Sequence, residues 1–336
     1  MKKRKGNTVF LTNKPRILST ASIAGKKESE GPLGTYFDSI ITDGRFNESS
    51  WEKAESKMQK VAVGMLLEKT KKPKEDIDFV FGGDLLNQCM GTSFGLLDYN
   101  IPFFGLYGAC STFCEGLCLS AMAVDGGFAE NVIAVTSSHF CSSERQFRFP
   151  LEYGGQRTPS AQWTVTASGA ALVTKNEGEF AITAITPGKI VDKGITDANN
   201  MGAAMAPAAV DTLINHFNDR EIDENYYDLV ITGDLGTVGS EITAEQLSKS
   251  GLYLGNKYTD CGREIFDIEK QDVHAGGSGC GCCASVFSGY IFKKMQKREL
   301  NKVLVCATGA LMSTTSSFQG NNIPSIAHAV AIERIE

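Results

Sequence analysis

The sequence predicts an α/β fold made of two pseudo-symmetric copies of one unit, with parallel-rich sheets and helices buried between layers. Three observations carry the prediction. Residues 78–85 read DFVFGGDL and residues 228–235 read DLVITGDL, each a β-branched and aromatic run closed by Gly-Asp-Leu. GACSTFCEGL at 108–117 is answered by SGCGCCASVF at 278–287, and NVIAVTSS at 131–138 by KVLVCATG at 302–309, in the same order in both halves. Duplication explains that order better than chance. Helical periodicity alternates with these runs, as in strand–helix–strand units. The halves divide at 1–178 and 179–336.

In chain order, MKKRK at 1–5 is the only dense basic cluster. The residues behind it, GNTVFLTNKPR, contain no apolar stretch, so no signal peptide is expected. The cluster reads either as a solvated, disordered terminus or as an aid to attachment at an anionic membrane, where each charge contributes on the order of 1 kcal/mol. SWEKAESKMQKVAVGMLLEKT at 50–70 has apolar residues at helical spacing and ends in a lysine-rich turn before Pro73. The strand DFVFGGDL follows, then the small-residue helix opened by GACS, whose glycines permit close backbone approach, then the strand NVIAVTSS. Residues 139–167, HFCSSERQFRFPLEYGGQRTPSAQWTVTA, interrupt this unit with little periodicity, and long insertions tend to carry function. The second half repeats the plan, with APAAVDTLINHFND at 206–219 as the counterpart helix.

The 336 residues carry a formal charge of −6, and no basic stripe marks a nucleic-acid partner. No apolar run approaches the roughly 20 residues of a membrane span. Several of the ten cysteines lie in apolar runs and Cys282 adjoins Cys283, which favours reduced, mostly buried thiols in a reducing compartment. Zinc is the competing reading of Cys280, Cys282 and Cys283, but C-x-C-C lacks a second pair, so neither a metal nor a cofactor is expected. Gly279, Gly281 and Ala284 match G-x-G-x-x-A, yet no convincing strand precedes them.

The duplicated unit, the G-A-C-S turn and the His-x-G-G-x-G turn at 274–279 resemble the thiolase and β-ketoacyl synthase superfamily over essentially the whole chain. More narrowly, GACSTFCEGL, SSERQFRFPLEYGGQRTPSAQWTVTASGAALV and VHAGGSGCGCCASVFSGY resemble the stage V sporulation protein AD family of spore-forming bacteria. The resemblance implies a thiolase-like fold and binding of dipicolinic acid (pyridine-2,6-dicarboxylate), with or without calcium. It implies a part in uptake of that acid into the developing spore, beside membrane proteins encoded in the same operon. It further implies a homodimer paired through residues 103–107 or 131–138, soluble or peripheral on the spore inner membrane.

In the superfamily a cysteine at the start of a buried helix is acylated, because the helix dipole and free N–H groups favour the thiolate. Cys110 holds the matching position, His274 matches the later histidine turn, and Cys306 in VCATGALM stands where thiolases carry a second catalytic cysteine. The turn TGDLG at 232–236 places Asp234 where a histidine is common. A non-catalytic binder is therefore the reading adopted, with an acyltransferase using Cys110 as the alternative. Cys114 and Cys118 read as core, and His139, His216 and His328 as structural.

A flat dianion is held best by planar bidentate donors and an aromatic wall. The insert offers Arg145, Arg148 and Arg157, with Gln162, Thr164 and Thr166 as neutral donors and Phe147, Phe149, Tyr153 and Trp163 as walls. Together with Cys110, His274 and Asp234 these are the expected ligand-binding residues.

Overall fold

In this computed structural model, residues 3–147 and 156–335 are described. The first half contributes β1 (Arg16–Gly25), β2 (Phe79–Gly83), β3 (Phe103–Gly105), β4 (Asn131–Ser138) and β5 (Ala167–Thr174). The second contributes β6 (Phe180–Pro187), β7 (Leu229–Thr232), β8 (Tyr258–Asp260), β9 (Lys302–Ala310) and β10 (Ser325–Arg334). From the seam outward the strands run β1-β5-β4-β2-β3 on one side and β6-β10-β9-β7-β8 on the other, one topology used twice. In each half the two inner pairings are antiparallel and the two outer pairings parallel. Even the irregularity repeats: a bulge falls between Ile17 and Ser19 in β1, and between Ile182 and Ala184 in β6. A short antiparallel contact, with Ile17 facing Phe180, joins the halves.

Seven helices matter to the site: α1 (Trp51–Thr70), α2 (Met90–Leu96), α3 (Thr112–Asp125), α4 (Phe140–Phe147), α5 (Met201–Arg220), α6 (Gly236–Lys249) and α7 (Cys280–Val286). α1 packs on strands of the first half and α5 on strands of the second. α3 touches β2 and β4 of its own half and β9 and β10 of the other, while α7 packs on β1, β4 and β5. These two helices therefore form a buried layer between the halves, which explains why they are built from small residues. A Cβ added at Gly169 on β5 would lie 2.2 Å from the Ala284 carbonyl oxygen, and one at Gly281 would lie 2.3 Å from that of Ala167. The glycines of the G-x-G-x-x-A stretch thus seat α7 against the sheet.

Local chemistry sets the outer helices. The Ser50 side chain caps α1 by accepting from the Lys53 N–H at 3.2 Å, and Lys71 ends it in the left-handed region at φ 55°. α5 begins at Met201 rather than Ala206: the Asn200 side chain caps it, and Pro207 within it forfeits only one backbone hydrogen bond.

Of the two readings of the basic N-terminus, the solvated, disordered segment is corrected for residues 3–10. Arg4–Lys5 pairs with Thr8–Phe10 in a hairpin whose second strand adds to β6, Phe10 facing Ala184. The Asp219 carboxylate accepts from the Asn7 and Thr8 N–H groups, and Lys3 and Lys5 pair with Asp125 and Glu221. Residues 3–10 thus pack mainly on the second half, with Lys3 reaching Asp125 of the first. Among the described residues no helix is long and apolar enough to cross a membrane.

Candidate functional site

Two helix starts meet at the centre of the molecule. Ala109, just before Cys110, has φ 51°, and Gly279, just before Cys280, has φ 117°. Each turn delivers a cysteine to the start of a buried helix. The Cys110 Sγ lies 3.4 Å from Ser278 Oγ, and the Cys280 thiol donates to the Ala109 carbonyl oxygen at 2.9 Å. Both cysteines pack with Leu85 and Phe147 in one apolar cluster.

A cavity of about 40 Å³ opens on Cys110. Its polar wall includes Ser278, Thr164, Gln162 and Glu144, and its apolar wall includes Phe147 and Met312. Thus Cys110, Gln162 and Thr164, three of the residues expected at the site, come together. The Gln162 amide donates to the Asp234 carbonyl at 2.6 Å and the Gly277 carbonyl at 3.0 Å, which ties the insert to both loops of the second half. Thr164 Oγ1 donates to Glu144 Oε1 at 2.8 Å. Thr166 instead accepts from the Phe140 N–H at 3.0 Å and so holds the start of α4.

Electrostatics at the centre oppose a thiolate. Burial, with the nearby Asp234 charge adding to it, pushes the Cys110 thiol up to about 12. Desolvation therefore outweighs the help of the helix start. Asp234 is itself buried, and burial first, then the Asp260 charge, raises its carboxyl well above the usual range. The Thr308 and Gly279 amides and the Cys282 thiol lie near its oxygens, but none makes a hydrogen bond of good geometry. The turn that carries Asp234 is secured by Asp260, which accepts from the Leu235, Gly236 and Gly262 N–H groups and the Thr232 hydroxyl. In the first half Asp84, of the same Gly-Asp-Leu motif, does this itself by accepting from the Leu86 and Thr92 N–H groups. Asp234 sits behind the cavity and does not line it.

Other expected residues lie elsewhere, and three placements correct the sequence reading. His274, at φ 53°, turns to Asp272, with its Nε2 2.9 Å from Oδ1. Arg157 pairs with the same oxygen at 3.3 Å and rests on the Trp163 ring at 4.4 Å, so both belong to a group outside the Cys110 cavity. Cys306 is buried within β9, in the core that Leu304 and Ala329 share with α5. His274 and Cys306 match motif positions and Arg157 lies in the insert, but the loops and strand carrying them aim the side chains away. Arg145 pairs with Glu52 at 3.4 Å and lines a second, outer pocket of about 290 Å³. Trp163 stacks on Phe140 with centroids 3.9 Å apart. Arg148, Phe149 and Tyr153 lie outside the described residues.

Among the remaining histidines, the His139 ring meets the Gly44 carbonyl at 2.7 Å, His216 bridges Thr186 and Tyr227, and His328 is buried. No group of three or more His, Cys, Asp or Glu among the described residues could hold a metal ion. Sequence reasoning missed Glu144 and Ser278 as cavity residues. Ser278 lay within the conspicuous HAGGSG turn, whereas Glu144, next to an arginine in an aperiodic stretch, reads as an ordinary solvated charge.

Comparison with known proteins gives a close resemblance in sequence and remote ones in structure. A family model described as Stage V sporulation protein AD matches residues 5–333. Stage V sporulation protein AD of Bacillus subtilis (strain 168) is 46% identical over 318 residues, covering 95% of this chain and 94% of that one. Among solved structures, 3-oxoacyl-[acyl-carrier-protein] synthase III of Aquifex aeolicus aligns with a TM-score of 0.60 at 12% identity, covering 95% of this chain and 99% of that one. Human mitochondrial 3-ketoacyl-CoA thiolase aligns with a TM-score of 0.60 at 10% identity, covering 96% of this chain and 100% of that one. At such identities the solved structures show the fold alone, and that fold is thiolase-like.

Proposed function

This chain belongs to the stage V sporulation protein AD family, and from that premise we propose that it is a non-catalytic thiolase-fold protein that binds dipicolinic acid and takes part in its uptake into the developing spore. One observation carries the non-catalytic part. The side chain that meets the Cys110 thiol is the hydroxyl of Ser278, and no imidazole lines the cavity among the described residues. Acyl transfer by a thiol needs a base to take its proton and donors to stabilise the oxyanion. A thiol held near 12 by burial gives almost no thiolate at neutral pH.

The binding part is supported by the chemistry around α4, where Arg145 and aromatic side chains face a pocket large enough for a small planar acid. The same reading takes the protein as a homodimer, peripheral on the spore inner membrane, working with membrane proteins of its operon, with calcium as a co-ligand to be tested. Isothermal titration calorimetry with dipicolinate, with and without calcium, tests binding. Incubation with radiolabelled acetyl-CoA tests the alternative. Heat of binding with no covalent label on Cys110 is the expected result. A stoichiometric label lost in Cys110→Ser, with no dipicolinate binding, would replace this reading with an acyltransferase.

A further inference from the structure

Two chambers lie side by side at α4, one lined by an acidic side chain and the other by a basic one. The inner cavity, about 40 Å³, has Glu144 as the one charged side chain among its described lining. The outer pocket, about 290 Å³, has Arg145 in that position. Consecutive residues of one helix thus present an acid inward and a base outward. Phe147 and Met312 line both chambers. Phe147 packs on the Leu85, Cys110 and Cys280 cluster, and Met312 is buried.

Size decides where a ligand can sit. A cavity of 40 Å³ has room for about three waters, since one water needs roughly 10–15 Å³ by this measure. A pyridine dicarboxylate does not fit there unless the barrier moves. The outer pocket is near the small end of ligand sites, roughly 300 Å³ and upward. It also has the matching chemistry. Arg145 commits one nitrogen, Nη1, to Glu52, and its fork can still meet a carboxylate. Tyr107 and Phe318 supply aromatic surface, and Asn87 and Thr314 supply polar groups.

We propose that the Arg145 pocket is the first binding subsite for a small planar carboxylate, and that Phe147 and Met312 form the side-chain barrier between it and the Cys110 cavity. The inference rests on the binding reading above for the identity of the ligand, but the barrier can be tested without any ligand. The rate at which N-ethylmaleimide modifies Cys110 at pH 9 is followed by mass spectrometry, with the half-buried Cys141 as internal reference. Met312→Ala and Phe147→Ala should each speed Cys110 modification about tenfold or more, with Cys141 unchanged and melting temperatures close to wild type. Should Phe147→Ala fail to fold, Met312→Ala alone decides. Unchanged Cys110 rates in folded variants overturn the barrier, whether or not dipicolinate binds.

The subsite has its own arm. Dipicolinate should slow Cys110 modification in the wild type, and Arg145→Met should weaken its binding at least tenfold and abolish that protection. If dipicolinate binds the wild type but Arg145→Met binds it equally well, the subsite is wrong while the binding reading stands. If dipicolinate does not bind the wild type at all, the binding reading falls and the subsite with it, while the barrier is still judged by the labelling rates.

Discussion

The Cys280 thiol donates to the Ala109 carbonyl oxygen at 2.9 Å, so the helix start of the second half is bonded to the residue that aims Cys110 in the first. The two halves are interlocked at their equivalent helix starts. Ala109 holds a left-handed conformation, φ 51°, that few residues other than glycine adopt comfortably.

That strain makes a stability prediction. Ala109→Gly should be neutral or raise the melting temperature slightly, because glycine enters the left-handed region without penalty. Ala109→Val should lose roughly 2 kcal/mol or more, since a β-branched residue is a strong outlier there. Equal melting temperatures for the two variants by differential scanning calorimetry would contradict the geometry.

Gly279 provides a second test. A Cβ there would lie 2.6 Å from Ser138 Oγ at a φ of 117°, whereas Gly127, at φ 77°, has nothing within 4 Å of the added atom. Gly279→Ala should therefore cost about 1–3 kcal/mol more than Gly127→Ala, because it adds a clash in the core to the backbone strain that both share. Urea denaturation of the two single variants measures the difference.

Cys110 should behave as a protected thiol. With the thiol pushed up to about 12, roughly 1 in 10⁴ molecules carries a thiolate at pH 8. Modification by iodoacetamide should rise steadily with pH and show no plateau below about pH 10. A plateau near neutral pH would mean an activated nucleophile and restore the condensing-enzyme reading.

Buried acids predict a pH dependence of stability. Glu55 is raised from 4.5 to about 8 by burial and by the Asp84 charge, and Glu28 is raised to about 7 by burial. The folded state holds these protons more tightly than the unfolded chain. Their contribution is therefore full below pH 4.5, declines as pH rises, and is lost by about pH 8. Each group adds a slope of at most about 1.4 kcal/mol per pH unit within its window. Glu55→Gln should flatten the fall in stability between pH 5 and pH 8. An unchanged slope in that variant would show that Glu55 is not protonated in the fold.

Self-association is expected at the outer edge of the first half. β3 is an edge strand whose Phe103 and Phe104 are exposed, and Phe104 stacks on Phe81 at 5.1 Å. Such an edge invites pairing with a second copy. Light scattering should give a dimer mass for the wild type and a monomer mass for Phe103→Asp. A wild-type monomer at micromolar concentration would remove the proposed homodimer.

Much of the architecture was legible without coordinates. The repeated Gly-Asp-Leu runs mark β2 and β7, the paired apolar runs mark β4 and β9, and the small-residue segments mark the two buried helices. The sequence also placed Cys110 at a helix start and Asp234 in the turn where a base would stand. Four central strands escaped notice, because RILSTASIAG in β1 and ASGAALVT in β5, like β6 and β10, are rich in Ala, Ser and Thr and carry none of the repeated motifs. Their strand character comes from antiparallel partners far away in the chain, Ile17 on Val173 for example, and not from local periodicity.

Which polar residues beyond Cys110, Gln162 and Thr164 reach the site was decided by tertiary structure. α4 is docked by Ser142, whose hydroxyl donates to Glu55 at 2.6 Å, and by the Arg145 pair with Glu52, both on α1. That docking turns Glu144 toward Cys110 and Arg145 toward the outer pocket. Likewise, Asp272 draws His274 and Arg157 out of the cavity that the motifs had assigned to His274. Periodicity tells which face of an element is apolar, but the chamber a polar side chain enters depends on long-range contacts that fix the element's angle, and these exist only in the folded chain.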